Sequence, residues 1–95
     1  MSVVIVGGHD RMARQYQQIC KKHRCKAKVF TQMPGNLRNM IGRPDLLVVF
    51  TSTVSHKMMH CAVEEAEKHG ADIVRSHTSS ACALEEILTA ACAEA

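Results

Sequence analysis

Four short runs of strand-like sequence, each followed by a segment with helical hydrophobic periodicity, constrain the fold of this chain more than any other feature. The first and third runs show no alternation of polar and apolar residues, which is typical of strands covered on both faces of a parallel sheet. The four predicted strands are Ser2 to Val6, Lys26 to Thr31, Leu46 to Phe50 and Asp72 to Arg75. Strands that alternate with helices are joined by right-handed crossovers, which place them parallel in one sheet. We predict an α/β fold: a single small Rossmann/flavodoxin-like domain over residues 1–95, with a four-stranded parallel sheet in the order 2-1-3-4 and helices on both faces.

The helices are predicted from apolar residues that recur every three or four positions. The first helix follows Asp10, which we expect to cap its N-terminus. The second is short, from Asn36 to Ile41, and the third ends at Gly70. The positions expected to face the core are Met12, Tyr16, Ile19, Cys20 and His23 in the first helix, Leu37, Met40 and Ile41 in the second, Met59, Ala62, Val63 and Ala66 in the third, and Leu84, Ile87, Leu88 and Ala91 in the last.

Composition narrows the location and the partners of the protein. No apolar run approaches the roughly 20 residues that span a bilayer, and the first strand has neither the basic start nor the cleavage site of a signal peptide, so we expect a cytoplasmic protein with no membrane partner. Five cysteines without a C-x-x-C pair suit reduced thiols. Ten of the twelve Lys and Arg residues lie in residues 1–63, and seven of the nine acids lie in residues 64–95. This asymmetry favours steering of anions or self-association.

The loops that follow the predicted strands carry the candidate binding residues. In open parallel sheets a ligand binds beyond the carboxyl ends of the strands, where the strand order reverses. Glycines and helix N-termini offer backbone N–H groups to an anion, and hydroxyls and imidazoles add further donors. The candidates for binding a small anion or nucleotide are Gly7, Gly8, His9, Asp10, Arg11, Thr51, Ser52, Thr53, Ser55, Ser76, Thr78 and Ser79. Capping of the helices is an alternative explanation for the same small polar residues.

A transition metal, zinc or iron, is a second hypothesis for the same edge of the sheet. His56 and His60 are four residues apart, which places both imidazoles on one side of a helix, and His9 or His77 would complete three nitrogen ligands. Haem is a variant of this hypothesis, because His and Met are its usual protein ligands and Met58 and Met59 are adjacent in the sequence. Solvated surface histidines are the alternative.

No catalytic motif is present, so we expect a binding protein rather than an enzyme. The segment from Gly7 to Met12 lacks the second and third glycines of the dinucleotide fingerprint, and no acid ends the second strand, which argues against NAD. The leading prediction is therefore a cytoplasmic module that holds a small anionic or metal-bound ligand, with a metal- or haem-dependent redox or sensor protein as the alternative. A third alternative is a homodimeric interaction domain that contacts protein or, through the basic run at residues 21–28, nucleic acid; the dipole of the preceding helix explains much of that run.

The chain resembles a known bacterial family from end to end. The resemblance is carried by the segments V-V-I-V-G-G-H-D at residues 3–10, T-Q-M-P-G-N at 31–36, T-V-S-H-K at 53–57 and R-S-H at 75–77. On these segments the chain is similar to the family known as domain of unknown function 2325. The resemblance implies a bacterial cytoplasmic protein, fits the α/β prediction, and implies no activity and no catalytic residue.

Overall fold

Strands and helices alternate from the first residues to the last in this computed structural model, which describes residues 1–32 and 35–92. The elements are β1 (Ser2–Val6), a 3₁₀ turn (Asp10–Met12), α1 (Ala13–Lys22), β2 (Lys26–Phe30), α2 (Leu37–Ile41), β3 (Leu46–Phe50), α3 (His56–Lys68), β4 (Asp72–Ser76) and α4 (Ala81–Cys92). All four predicted strands and all four predicted helices are confirmed, with β2 ending one residue earlier and β4 one residue later than expected.

The four strands form one parallel sheet in the order β2-β1-β3-β4, which confirms the predicted topology. Its register places Val3 of β1 beside Ala27 of β2 and Leu46 of β3. Helices α1 and α4 pack together on one face, and α2 and α3 pack together on the other. The strand order reverses between β1 and β3, so the crevice predicted for a ligand lies where these two strands end.

Two apolar clusters form the core, one on each face of the sheet. Because side chains alternate along a strand, Val3 and Ile5 join the α1–α4 cluster, whereas Val4 and Val6 join the α2–α3 cluster. Every residue of β3 is buried, since this strand has a neighbour on each side and helices on both faces. This arrangement explains the unbroken apolar run from which the strand was predicted.

Two local predictions are wrong. The Asp10 side chain does not cap the first helix; it accepts hydrogen bonds from the side chains of Thr31 and Gln32, beyond the end of β2. Met40 is exposed rather than buried, because α2 is only five residues long and buries the pair Leu37 and Ile41, one turn apart.

Three of the cysteines lie in the two core clusters. Cys20, Cys25 and Cys61 are buried and Cys82 is exposed, whereas the side chain of Cys92 is not described. Within the described parts of the chain, no helix has the length and apolar character needed to cross a membrane.

Candidate functional site

The two glycines after β1 sit at the predicted crevice, and their backbone N–H groups are both used within the fold. Gly7 N donates to the carbonyl oxygen of Phe30 at 2.9 Å. Gly8 N donates to Oγ1 of Thr53 at 2.7 Å, which ties the loop after β1 directly to the loop after β3. Both N–H groups were predicted from the sequence to be available to an anion. In the structure, that of Gly7 bonds to the end of β2 and that of Gly8 joins the loops after β1 and β3.

Gly8 is also required by the packing of a buried aromatic ring. It has a φ of +84°, and a Cβ at this position would lie 2.6 Å from both Cε2 and the hydroxyl oxygen of Tyr16. The Tyr16 ring packs against Phe50 with centroids 5.3 Å apart, and its hydroxyl donates to the carbonyl oxygen of Ser79. Burial raises the pKa of Tyr16, while the hydrogen bond to Ser79 opposes that shift. The glycine therefore permits the close approach of a side chain.

Most hydroxyl groups of the predicted site hold the loops in place. Ser55 caps α3, because its Oγ accepts a hydrogen bond from the backbone N of Met58 at 3.2 Å. The other contacts run to backbone carbonyl oxygens: Thr51 donates to Ser76, Ser52 to His77, Ser76 to Thr78, and Thr53 to Phe50. Local and loop-to-loop hydrogen bonds thus account for the hydroxyl groups of Thr51, Ser52, Thr53, Ser55 and Ser76.

The remaining predicted residues at this edge are exposed. His9 precedes the 3₁₀ turn and caps it without a side-chain hydrogen bond, and Arg11 lies within the turn. His77 lies in the loop after β4 and is also exposed. The Asp10 carboxylate, held by Thr31 and Gln32, adds negative charge beside the crevice. A negative group here weakens attraction for an anion at the crevice itself.

Of the four histidines predicted to bind metal, the structure brings two together. The rings of His56 and His60 lie on one side of α3 with centroids 6.4 Å apart and planes inclined by 28°. Both residues are exposed. Across residues 1–32 and 35–92, no three side chains from His, Cys, Asp and Glu are grouped closely enough to hold a metal ion. His9 and His77 therefore do not join this pair in the structure, and a complete metal site stays a prediction.

A cleft between α2 and the N-terminal half of α3 opens near the same edge of the sheet. Its volume is about 580 Å³, and we call it the α2–α3 cleft. It is lined by Gly35, Asn36, Leu37, Arg38, Asn39, Lys57, His60, Cys61 and Glu64. His60 is one of the histidines predicted to bind metal, and Lys57 directly follows His56. The cleft thus lies on the α2 side of the predicted crevice.

An ion pair spans the α2–α3 cleft. Nη2 of Arg38 lies 2.8 Å from Oε2 of Glu64, and both side chains are about half exposed. The hydrogen bond with Glu64 raises the pKa of Arg38, and the nearby Cys61 acts in the same direction. Lys57 has no carboxylate partner among the described residues, which leaves its ammonium group available to a ligand.

Sequence reasoning missed the residues that α2 contributes to this cleft. Asn36, Arg38 and Asn39 become neighbours of α3 only when the two helices pack together. A signal was present on α3 itself, where residues 57, 60, 61 and 64 recur at helical spacing. This stripe of Lys, His, Cys and Glu borders the apolar face and marks the side of α3 that lines a cleft.

Comparison with known proteins supports the fold and identifies a family. A solution NMR structure of a de novo designed Rossmann 2x2 fold protein matches this chain with a TM-score of 0.65 at 13% sequence identity, covering 99% of this chain and 89% of the designed one. At that identity the likeness shows the fold alone. No curated protein matches the chain. The family model described as "Uncharacterized protein conserved in bacteria (DUF2325)" matches residues 2–91, and the chain therefore belongs to this bacterial family.

Proposed function

We propose that the protein is a small binding module that holds an anion in the α2–α3 cleft at the carboxyl edge of its sheet. The observation that carries the proposal is the convergence of Arg38, Lys57 and His60 on one cleft. Side-chain amides of Asn36 and Asn39 line the same space and add hydrogen-bond donors. A cleft of about 580 Å³ lies within the range of roughly 300–1,000 Å³ that is usual for small-molecule sites.

The ligand class follows from these donors. Lys57 contributes a mobile point charge, whereas the planar guanidinium of Arg38 can bind two oxygens of one carboxylate or phosphate. One of its nitrogens is already hydrogen-bonded to Glu64, so a ligand competes with Glu64 or uses the remaining N–H groups. A small carboxylate or phosphate compound fits this set of donors.

Binding is tested by following backbone amide shifts in NMR spectra while inorganic phosphate or citrate is added. We expect saturable shifts around residues 36–39 and 57–64. Lys57→Ala removes a charge-assisted contact worth about 1.5–3 kcal/mol, so affinity falls about tenfold or more. Lys68→Ala is the matched control, because Lys68 lies in the last turn of the same helix, where it pairs with Glu65. Unaltered affinity in both Lys57→Ala and His60→Ala contradicts the proposal.

A metal or haem site at His56 and His60 is the second candidate function. The observation that favours it is the stacked pair of imidazoles on one side of α3. Zinc, iron and haem are added separately to purified protein, and binding is followed by calorimetry and by absorbance. His56 does not line the α2–α3 cleft, so His56→Ala removes metal binding while phosphate binding remains. If zinc and haem bind His56→Ala with the same affinity as the parent protein, this candidate is contradicted.

The predicted homodimer, the cytoplasmic location and the contact of residues 21–28 with nucleic acid stay predictions. Sedimentation velocity over a range of protein concentrations tests for the homodimer. The unpaired edges of the sheet, β2 and β4, are where a second copy would extend it. Lys26 and Lys28 on β2 repel their own copies, which favours β4 as the edge that self-associates.

A further inference from the structure

A second cleft with three cationic side chains lies near the opposite, amino edge of the sheet. We call it the β2–α2 cleft; its volume is about 360 Å³. Lys26 and Lys28 project from β2, and Arg43 follows α2. The other lining residues are Ser2, Val3, Val4, Ala27, Ile41 and Pro44. This cleft shares no residue with the α2–α3 cleft.

The strand register explains why the two lysines face the same way. Lys26 and Lys28 pair with Ser2 and Val4 of β1, and Val4 belongs to the cluster beneath α2 and α3. Both lysines therefore project on the α2 side of the sheet. Nζ of Lys28 donates to the carbonyl oxygen of Met40 at 3.1 Å, which holds this ammonium group beside the end of α2.

The cationic side chains of the β2–α2 cleft have no ion-pair partner in the described part of the chain. No carboxylate in residues 1–32 and 35–92 forms an ion pair with Lys26, Lys28 or Arg43, and no acidic side chain lines the cleft. Asp45, which follows Arg43 by two residues, instead accepts a hydrogen bond from the backbone N of Ser2. Three like charges around one space repel each other, so an anion placed among them lowers the electrostatic energy.

Protection of an exposed edge strand explains only part of this arrangement. Lysines on an edge strand discourage pairing with another sheet, and that role suits Lys26 and Lys28. Arg43 lies in the connection between α2 and β3, away from the strand, and edge protection gives it no reason to line the same cleft. The buried side chains of Val4, Ile41 and Pro44 give the cleft an apolar floor beneath its cationic rim.

We propose that the β2–α2 cleft binds the phosphate group of a phosphorylated ligand, with Arg43 as the bidentate contact and Lys26 and Lys28 as the flanking charges. The apolar floor then receives the organic part of the ligand. The shared chemistry is a phosphate ester, which a small metabolite or a nucleic-acid backbone can supply. The site is independent of the proposed anion site at the carboxyl edge.

The test uses sodium pyrophosphate and a mixed-sequence single-stranded oligonucleotide as separate probes. Pyrophosphate binding is followed by amide shifts at residues 26–28 and 41–44, and oligonucleotide binding by fluorescence anisotropy over a salt series. We expect Arg43→Ala to weaken binding about tenfold and Lys28→Ala to weaken it by a similar factor. Arg14→Ala is the control, because Arg14 is exposed on α1, lies outside the basic run at residues 21–28 and lines neither cleft. Urea denaturation of each variant confirms that the fold is intact.

The outcomes separate the two sources of phosphate from failure of the proposal. Saturable pyrophosphate binding that weakens in Arg43→Ala and not in Arg14→Ala supports a small phosphorylated ligand. Binding of the oligonucleotide alone, with the same dependence on Arg43 and a steep loss with salt, supports a nucleic-acid backbone. If neither probe binds in a way that depends on Arg43, the proposal is overturned. Lys57→Ala leaves this site unchanged, so its result is distinct from that of the α2–α3 cleft.

Discussion

Replacement of Gly8 by alanine tests whether the glycine pair after β1 exists for packing. A φ of +84° strains any residue with a Cβ, at a cost of about 1–2 kcal/mol. The new Cβ would also lie 2.6 Å from two atoms of Tyr16. That ring cannot move aside cheaply, since it is fully buried, packs on Phe50 and is hydrogen-bonded to Ser79. Overpacking of this kind costs about 1–3 kcal/mol.

The two costs together predict that Gly8→Ala lowers the free energy of unfolding by about 2–5 kcal/mol, a large part of the roughly 5–15 kcal/mol of a small domain. Urea denaturation followed by circular dichroism measures the change. Gly70→Ala is the matched control, because Gly70 has a φ of +69° and no atom within 4 Å of the new Cβ. That control loses only the backbone contribution of about 1–2 kcal/mol.

The clash with Tyr16 also predicts that the cost of Gly8→Ala depends on the side chain at position 16. Tyr16→Leu removes the atoms that the new Cβ meets, so Gly8→Ala costs less in that background than in the parent protein, and a double-mutant cycle measures the difference. The reasoning is refuted if Gly8→Ala and Gly70→Ala destabilise equally, or if the cost of Gly8→Ala is the same in both backgrounds. Either result would mean that the contact with Tyr16 is not the reason for a glycine at this position.

Three further predictions concern hydrogen bonds and ionisation. The pKa of Tyr16 is raised above its ordinary 10.0, so its contribution to stability is complete below pH 10 and is lost as the pH rises through the folded-state value. Tyr16→Phe abolishes this loss of stability at alkaline pH. The variant also costs about 1–3 kcal/mol, because it leaves the Ser79 carbonyl oxygen without its donor. The hydrogen bond from Lys22 lowers the pKa of Glu85 below its ordinary 4.5. The contribution of Glu85 to stability is therefore complete above pH 4.5 and is lost as the pH falls through the folded-state value. Urea denaturation midpoints measured over a pH series fall at acid pH in the parent protein, and fall less in Glu85→Gln. Ser55→Ala removes the cap of α3 and lowers the unfolding free energy by about 1 kcal/mol, whereas Ser55→Asp retains it.

The sequence predicted the fold because its strongest patterns are local. The unbroken apolar runs of β1 and β3 mark strands with two neighbours, and the mixed sequence of β2 marks an edge. Asp10 shows the limit of such reasoning. A carboxylate just before a helix is a good cap by local rules, yet Asp10 is used by Thr31 and Gln32, about twenty residues later in the chain.

The candidate site was predicted less well because its hydrogen bonds are long-range. Gly8 donates to Thr53, 45 residues away, and Ser52 to the carbonyl oxygen of His77, 25 residues away. The sequence placed these loops at one edge, but it could not show that they hydrogen-bond each other. His60 was identified from the sequence as a candidate metal ligand, while Arg38 entered the site only through the packing of α2 on α3.

The central position of β1 has a consequence for how the chain acquires its structure. Val3 pairs with Ala27 on one side and with Leu46 on the other, so β1 gains its second neighbour only when a much later segment is in place. Parallel pairings of this kind close long loops and slow folding. During synthesis, one edge of the apolar β1 stays unpaired until β3 has emerged from the ribosome. In that interval the nascent chain exposes an apolar, aggregation-prone strand to chaperones and to other nascent chains.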